Sequence, residues 1–464
     1  MPIHIKKYDV DYSRRFFLDK MSKGIMGAGV LTSLWPLIGE AADITKAYPE
    51  ELLSIDAFTQ GKLKDGDIID ASNVEIVKDL IDPIAYAQVS QHGRRIKLVP
   101  TTTDVTKLFP HDYLKATLAN QGKAALDADG NVVVKGSTDR WIGGLPFIEP
   151  KNGLEAFADI TLSWGRHDTS IYAVEDHDIN PDGSIDYEYQ LAWCEQNHAG
   201  LVSNPSGVYR EGLDDAMRHQ SIWFTAPDDS RGTSFLNIWK YDQRKFPDLF
   251  GYLPAFKRVR RFPTNQRFEP IVPGFTFFLS DAWAAGDPML TWGNHKIVGR
   301  GPFLGCQSEM WQGDKENWSK DHLVHGGKKG NTFYEASYQL CPEVIVVEAE
   351  PVGFQKIPVS KKRVWFDARN MTPIAYVTFD KEGNLFRSFE MGFSQQKKGG
   401  MANLDANGNP EWSFSHIHSY DMQTNRMTRL NQAEKIKGGV RTQFDSEGAY
   451  EKYLTIQAIR KLGS

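Results

Sequence analysis

The residues able to do chemistry in this chain come as scattered pairs rather than as a motif. His416 and His418 stand two apart in SHIHSYD, so on a strand their imidazoles share one face, with Asp421 close behind. His322 and His325 form a second pair in DHLVHGG, a stretch expected to be a loop. Two histidines and a carboxylate from separate segments could hold a divalent ion. No local spacing specifies that site, so no metal and no cofactor are expected, and His416 and His418 are placed on an exposed strand face. Asp178, Asn180, Asp182, Gly183 and Asp186 approach the spacing of a calcium loop. Tyr189 stands where the bidentate glutamate should be, and a hairpin turn is expected instead. Cys194 and His198 would meet only on a helix, whereas Tyr187, Tyr189 and Leu191 alternate as on a strand, which predicts a structural thiol. The chain has no G-x-S-x-G elbow, Walker loop or G-x-G-x-x-G, so no catalytic residue is assigned and the protein is not expected to be an enzyme.

The elements that would position such groups are mostly strands. Residues 221–226 are β-branched and aromatic, 227–232 have turn chemistry, and 233–241 return with Phe235, Asn237, Trp239 and Tyr241 at period two. Leu236 and Ile238 make the other face apolar as well, so this hairpin must be covered on both sides or enclose something. Trp223, Phe235, Trp239, Tyr241, Tyr252 and Phe256 are therefore the candidate wall of a ligand cavity. The segment 250–261 breaks at Leu253 and Pro254 and ends in Lys257, Arg258, Arg260 and Arg261, which suits an edge strand with a solvated rim or a surface for an acidic partner. Turn signals recur at 127–131, 180–184, 380–384 and 405–409, each with a glycine able to take positive φ. Upstream, Ser72 and Glu75 open a helical pattern over 72–92 that Pro83 interrupts, and a second amphipathic helix is expected over 111–126.

With 464 residues and 41% hydrophobic content the chain can bury a sizeable core. A formal charge of -5 argues against nucleic-acid binding as the main task. Cys194, Cys306 and Cys341 are odd in number and lack metal-type spacing, so at most one bridge can form within the chain. Ser13, Arg14, Arg15, Phe16, Phe17 and Leu18 resemble a twin-arginine export motif and precede a mild apolar run over 24–38. Gly39, Glu40 and Ala41 offer a cleavage site, and no cysteine follows for lipidation. Trimming after Ala41 removes six basic residues (Lys6, Lys7, Arg14, Arg15, Lys20, Lys23) and four acidic ones (Asp9, Asp11, Asp19, Glu40), moving the charge from -5 to -7. The expected organisation is a signal peptide over 1–42, a helical N-terminal region over 43–126 packed on the sheet, and an antiparallel β domain over 127–464.

Five pieces, GGLPFIEPKNGLEA (143–156), FGYLPAFKRVRR (250–261), WGNHKIVGRG (292–301), RVWFDARNMTPIAYVTFDKEGNLF (363–386) and HSYDMQTNR (418–426), together resemble a bacterial periplasmic family known as domain of unknown function thirteen-twenty-nine. The resemblance implies a mainly β (α+β) fold similar to LolA and LolB, a strongly curved antiparallel sheet or half-barrel closed by helices around an apolar hollow. It also implies handling of lipids, sterols or other hydrophobic cargo beside a transporter of the resistance-nodulation-division type, and it carries no catalytic residues. The expected role is thus a periplasmic carrier of a hydrophobic ligand. A twin-arginine-exported metal-dependent enzyme and an aromatic-surfaced polysaccharide binder are the alternatives.

Overall fold

The computed structural model describes residues 35, 38–39, 43–202, 212–263, 267–307, 316–318, 323–398 and 401–463. The export motif at Ser13 to Leu18, the expected cleavage site at Ala41 and His322 lie outside them.

Sixteen strands form one sheet. In chain order they are β1 (Ile68–Ile69), β2 (Ile96–Leu98), β3 (Thr169–Ile179), β4 (Ile185–Asn197), β5 (Ala216–Ala226), β6 (Ser234–Lys240), β7 (Asp248–Leu253) and β8 (Arg258–Phe262). They continue with β9 (Trp292–Gly305), β10 (Ala336–Pro351), β11 (Lys361–Asp367), β12 (Thr372–Phe379), β13 (Leu385–Gln395), β14 (Trp412–Asp421), β15 (Arg426–Ala433) and β16 (Gln443–Phe444). Pairing runs β1-β2-β10-β11-β12-β13-β14-β15-β3-β4-β5-β6-β7-β8, with β9 beside β10 and β16 beside β3. All pairs are antiparallel except β2 with β10. The sheet is curved and does not close into a barrel, so β1 and β8 end it. Bulges between β4 and β5, β11 and β12, β12 and β13, and β13 and β14 help it bend.

Alternation sends successive residues to opposite faces, and both faces are buried. On β3, Tyr172 and Val174 join the largest apolar cluster, while Ile171 and Ala173 join a cluster under the C-terminal helices α5 (Ala449–Tyr453) and α6 (Ile456–Leu462). On β10, Ile345 and Val347 face the large cluster, and Val344 and Val346 face a third one that includes Ile84. This is the two-sided burial that the apolar pattern of 233–241 predicts.

The region 43–126 holds α1 (Ile55–Thr59), α2 (Pro83–His92) and α3 (His111–Ala119), and it also supplies β1 and β2 to the sheet. Two expectations need correction here. Pro83 does not interrupt a helix from Ser72 but begins α2, with Asp82 accepting hydrogen bonds from the amides of Ile84 and Ala85. Proline lacks the amide that the first helical position leaves unpaired, so it favours that place. The helix expected over 111–126 stops at Ala119, because Gly122 takes a positive φ of 74° and Ala124–Leu126 pairs with Val132–Val134. The turn between them is closed by Asp127, which accepts from the amides of Asp129 and Asn131. The remaining turns at 180–184, 380–384 and 405–409 form as expected, including the one whose residues approach a calcium loop. The helix α4 (Gly153–Leu162) buries Phe157 and Ile160 in the large cluster. Trp35 and Ile38, within the apolar run expected to be removed, are buried there too, Trp35 with its ring 6.4 Å from that of Phe109.

Candidate functional site

At the β8 end of the sheet, β5, β6, β7 and β8 leave a cavity of about 310 Å³. Its wall includes Ile222, Phe235, Asn237, Leu249, Leu253 and Phe262, and the crossing segment adds Glu269, Ile271 and Leu279. Strand register explains the grouping. Phe235 lies opposite Gly251, Asn237 opposite Leu249, and Phe262 opposite Leu249 on the other side, so these residues share one face. Gly251 is required there: a Cβ would stand 2.6 Å from the Phe262 ring and 3.0 Å from that of Phe235. A volume near the lower end of small-molecule pockets, with mostly apolar walls and few polar groups, suits one small apolar ligand.

The deeper hollow of the sheet is filled by the chain itself. The segment 271–285 crosses it, and Trp283 stacks on Trp164 with ring centroids 3.9 Å apart and meets Trp193 edge-on at 4.3 Å. Phe275 and Phe277 stack beside them at 4.8 Å. The apolar space left between this segment and Val174, Leu191, Phe389 and Leu430 is about 30 Å³, about room for a single water. Polar pins hold the filler: the amide of Thr276 donates to the Thr428 hydroxyl at 2.8 Å, and Asp281 pairs with Arg387 at 2.9 Å. Of the apolar hollow that the family resemblance implies, this part is packed by the chain's own segment, and the cavity of about 310 Å³ lies beside it at the β8 end.

The six proposed wall residues separate accordingly. Phe235 lines the cavity. Trp239 is in the packed core on the same strand, with the Arg218 guanidinium 4.6 Å and that of Arg267 5.4 Å from its ring. The Tyr241 hydroxyl donates to Val132 and accepts from the Trp141 amide at 2.7 Å. Trp223 faces the opposite way and stacks on Tyr453 of α5 at 4.8 Å, and Tyr252 lies against Gly463. Phe256 is 50% exposed, beneath the Arg260 guanidinium at 4.1 Å. The basic run is the rim of edge strand β8, with Arg261 paired to Asp248. Sequence reasoning missed Ile222, Leu249, Leu253 and Phe262. Their period-two spacing was legible, but which face of each strand met the opening was not.

His416 and His418 share a face as expected, but that face is buried, not exposed. The chain at Tyr334 lies over them, its ring stacked on His418 at 5.5 Å. The Tyr334 amide donates to His418 Nε2 at 3.0 Å, leaving Nδ1 to donate to Glu390 at 3.2 Å. Burial pushes the His418 pKa down to about 4, and likewise that of His325, whose Nε2 accepts from the Arg95 amide. Glu390 receives Arg94 Nη2 on both oxygens, at 2.6 and 2.8 Å, and also the Tyr338 hydroxyl. Burial alone would raise its pKa, but Arg94 and His418 outweigh that and hold the carboxyl well below the usual range. His416 Nε2 lies 3.8 Å from Cys306 Sγ and 4.0 Å from Glu390 Oε1, and Ser415 Oγ lies 2.9 Å from Nδ1. Cys306, Glu390 and His416 could together offer three ligand atoms to an ion, yet both Glu390 oxygens are already committed to donors. None of the three cysteines is in a disulfide and all are buried, and Cys194 is on β4, not on a helix with His198.

The fold and cavity define a class: a curved, open, mainly antiparallel sheet with both faces covered and an apolar cavity at one end. The chain belongs to the family described as "Protein of unknown function (DUF1329)", whose sequence model matches residues 68–460. Among solved structures it is similar to a DUF1329 family protein from Desulfovibrio piger, at 13% identity over 67% of this chain and 100% of that one, with a TM-score of 0.43. It is also similar to a putative outer membrane lipoprotein-sorting protein domain from Vibrio parahaemolyticus, at 17% identity, 64% and 92% coverage and a TM-score of 0.39. A LolA superfamily protein from Nitrosomonas europaea matches at 13% identity, 66% and 98% coverage and a TM-score of 0.34. No curated protein matches the chain.

Proposed function

We propose that this protein is a periplasmic carrier or accessory protein, not an enzyme, that binds one hydrophobic ligand such as a lipid or sterol beside a transporter of the resistance-nodulation-division type. The observation that carries the reading is the cavity of about 310 Å³, walled mainly by apolar side chains from β5 to β8 and the crossing segment. The twin-arginine-like residues Arg14 and Arg15 support export, and none of the described helices is long and apolar enough to cross a membrane. The volume favours part of a lipid chain or a small apolar molecule over a whole multi-chain lipid.

The metal-dependent alternative rests on the cluster of Cys306, Glu390 and His416, where an ion would have to compete with Arg94, Tyr338 and His418 for the carboxylate. The polysaccharide alternative needs exposed aromatic platforms, and the large exposed hydrophobics among the described residues include only Tyr187 and Phe256 as aromatics. Native mass spectrometry of protein purified from periplasm tests the proposal. A retained apolar ligand is the expected result; a stoichiometric metal with no such ligand would replace the carrier with the metal-dependent reading.

A further inference from the structure

Asn237 lies in the wall of an otherwise mainly apolar cavity, 1% exposed, and its side-chain carbonyl oxygen has no hydrogen-bond partner among the described residues. It sits on β6 between Phe235 and Trp239, opposite Gln220 on β5 and Leu249 on β7. A buried acceptor left without a donor costs free energy that an apolar residue of similar size would not, and such groups commonly mark a missing partner. The surrounding wall residues Ile222, Phe235, Leu249, Leu253 and Phe262 carry no side-chain donor. Glu269, the other charged or polar side chain of the wall, is exposed and, when ionised, offers only acceptors. An asparagine amide can turn about its terminal bond, so its carbonyl can be aimed at a partner in the cavity.

From this arrangement we infer that the ligand is an apolar molecule carrying a hydroxyl, and that Asn237 is the residue that selects it. The inference rests on the carrier reading and makes it more specific. The hydrocarbon body fills the space between Phe235, Leu253 and Phe262, and the hydroxyl donates to the Asn237 carbonyl. A carboxylate or phosphate could accept only from the Asn237 NH2 group and would leave the Asn237 carbonyl unpaired, with the acceptor Glu269 beside it. An alkane or an ether of the same length leaves the carbonyl unpaired.

Equilibrium dialysis of decanol and of decyl methyl ether against the full-length protein tests both layers. Decanol is expected to bind the wild type about tenfold more tightly than the ether, the scale of one buried hydrogen bond made or left unmade. In Asn237→Ala the two should bind alike, because the acceptor is gone while the apolar wall remains. Because the readout is the ratio of two ligands on one protein, a general loss of stability does not imitate it. Asn237→Leu, apolar and of similar size, should melt no lower than wild type, since a buried unpaired group is removed, and Asn237→Asp, which keeps an acceptor, should keep the preference for the alcohol. Equal binding of decanol and ether by wild type, or a tenfold preference that survives in Asn237→Ala, would overturn the role of Asn237 and leave the carrier standing. Binding of neither molecule by wild type would overturn the carrier reading, and the inference with it.

Discussion

Replacing Glu390 with glutamine should be among the most damaging single changes in this protein. The carboxylate is buried and holds Arg94 through two hydrogen bonds of 2.6 and 2.8 Å, with Tyr338 and His418 as further donors. Arg94 is itself only 1% exposed and also donates to Gln88 at 2.6 Å. Removing the negative partner strands a guanidinium in the interior, which costs about 3–5 kcal/mol; replacing both partners by apolar residues is often near neutral. Guanidinium unfolding at pH 7 should therefore show a loss of about 3–5 kcal/mol for Glu390→Gln, and a distinctly smaller loss for the double variant Arg94→Met with Glu390→Met. Acidification supplies an independent check. The folded carboxyl is held below its usual value, so its contribution is fully present above the unfolded pKa of about 4.3 and is lost as pH falls from there toward the folded value. The gap between wild type and Glu390→Gln should thus narrow below about pH 4. A loss under about 1 kcal/mol, or a gap that stays constant on acidification, would refute the claim that this ion pair is a desolvated anchor of the fold.

Trp239→Ala should cost about 3–5 kcal/mol in equilibrium unfolding, the scale of a large core truncation, because the ring lies in the packed cluster between Arg218 and Arg267; a loss near 1 kcal/mol would return it to a cavity wall. Burial pushes the pKa of Lys362 down to about 7, with its ammonium over the rings of Trp292 and Phe157. The unfolded chain holds this proton up to about pH 10.4, so the destabilisation is full below pH 7 and is relieved as pH rises from 7 to 10. Lys362→Met should accordingly stabilise the protein more at pH 6 than at pH 10 in parallel melting curves. Lysine in place of both Arg14 and Arg15 should leave full-length protein in the cytoplasm, and mature protein in the periplasm would exclude twin-arginine export. In the exported wild type, intact mass should show an N-terminus near residue 42, which removes Trp35 from its contact with Phe109.

The sequence by itself determined the strand content, the turns and the two-sided burial of the central hairpins. These depend on local chemistry: alternation over 233–241, glycines that can take positive φ in the turns, and aspartates that cap them. The common face of His416 and His418 followed from the period of a strand alone. Tertiary structure decided what that face meets. The residues that cover it are distant in sequence: Tyr334 lies 84 positions from His418, Glu390 lies 28 from His418, and Arg94 lies 296 from Glu390, and no local pattern joins them. Pro83 and Gly122 were visible as breaks, but whether a break begins an element or ends one depended on the neighbouring caps, Asp82 in one case and the hairpin closed by Asp127 in the other. The cavity was the least legible feature. Apolar walls at period two look the same whether they enclose a ligand or the protein's own segment. Residues 271–285, an irregular stretch with no strand or long helix to announce it, fill the space between Val174, Leu191, Phe389 and Leu430 and leave the end beside β8 open.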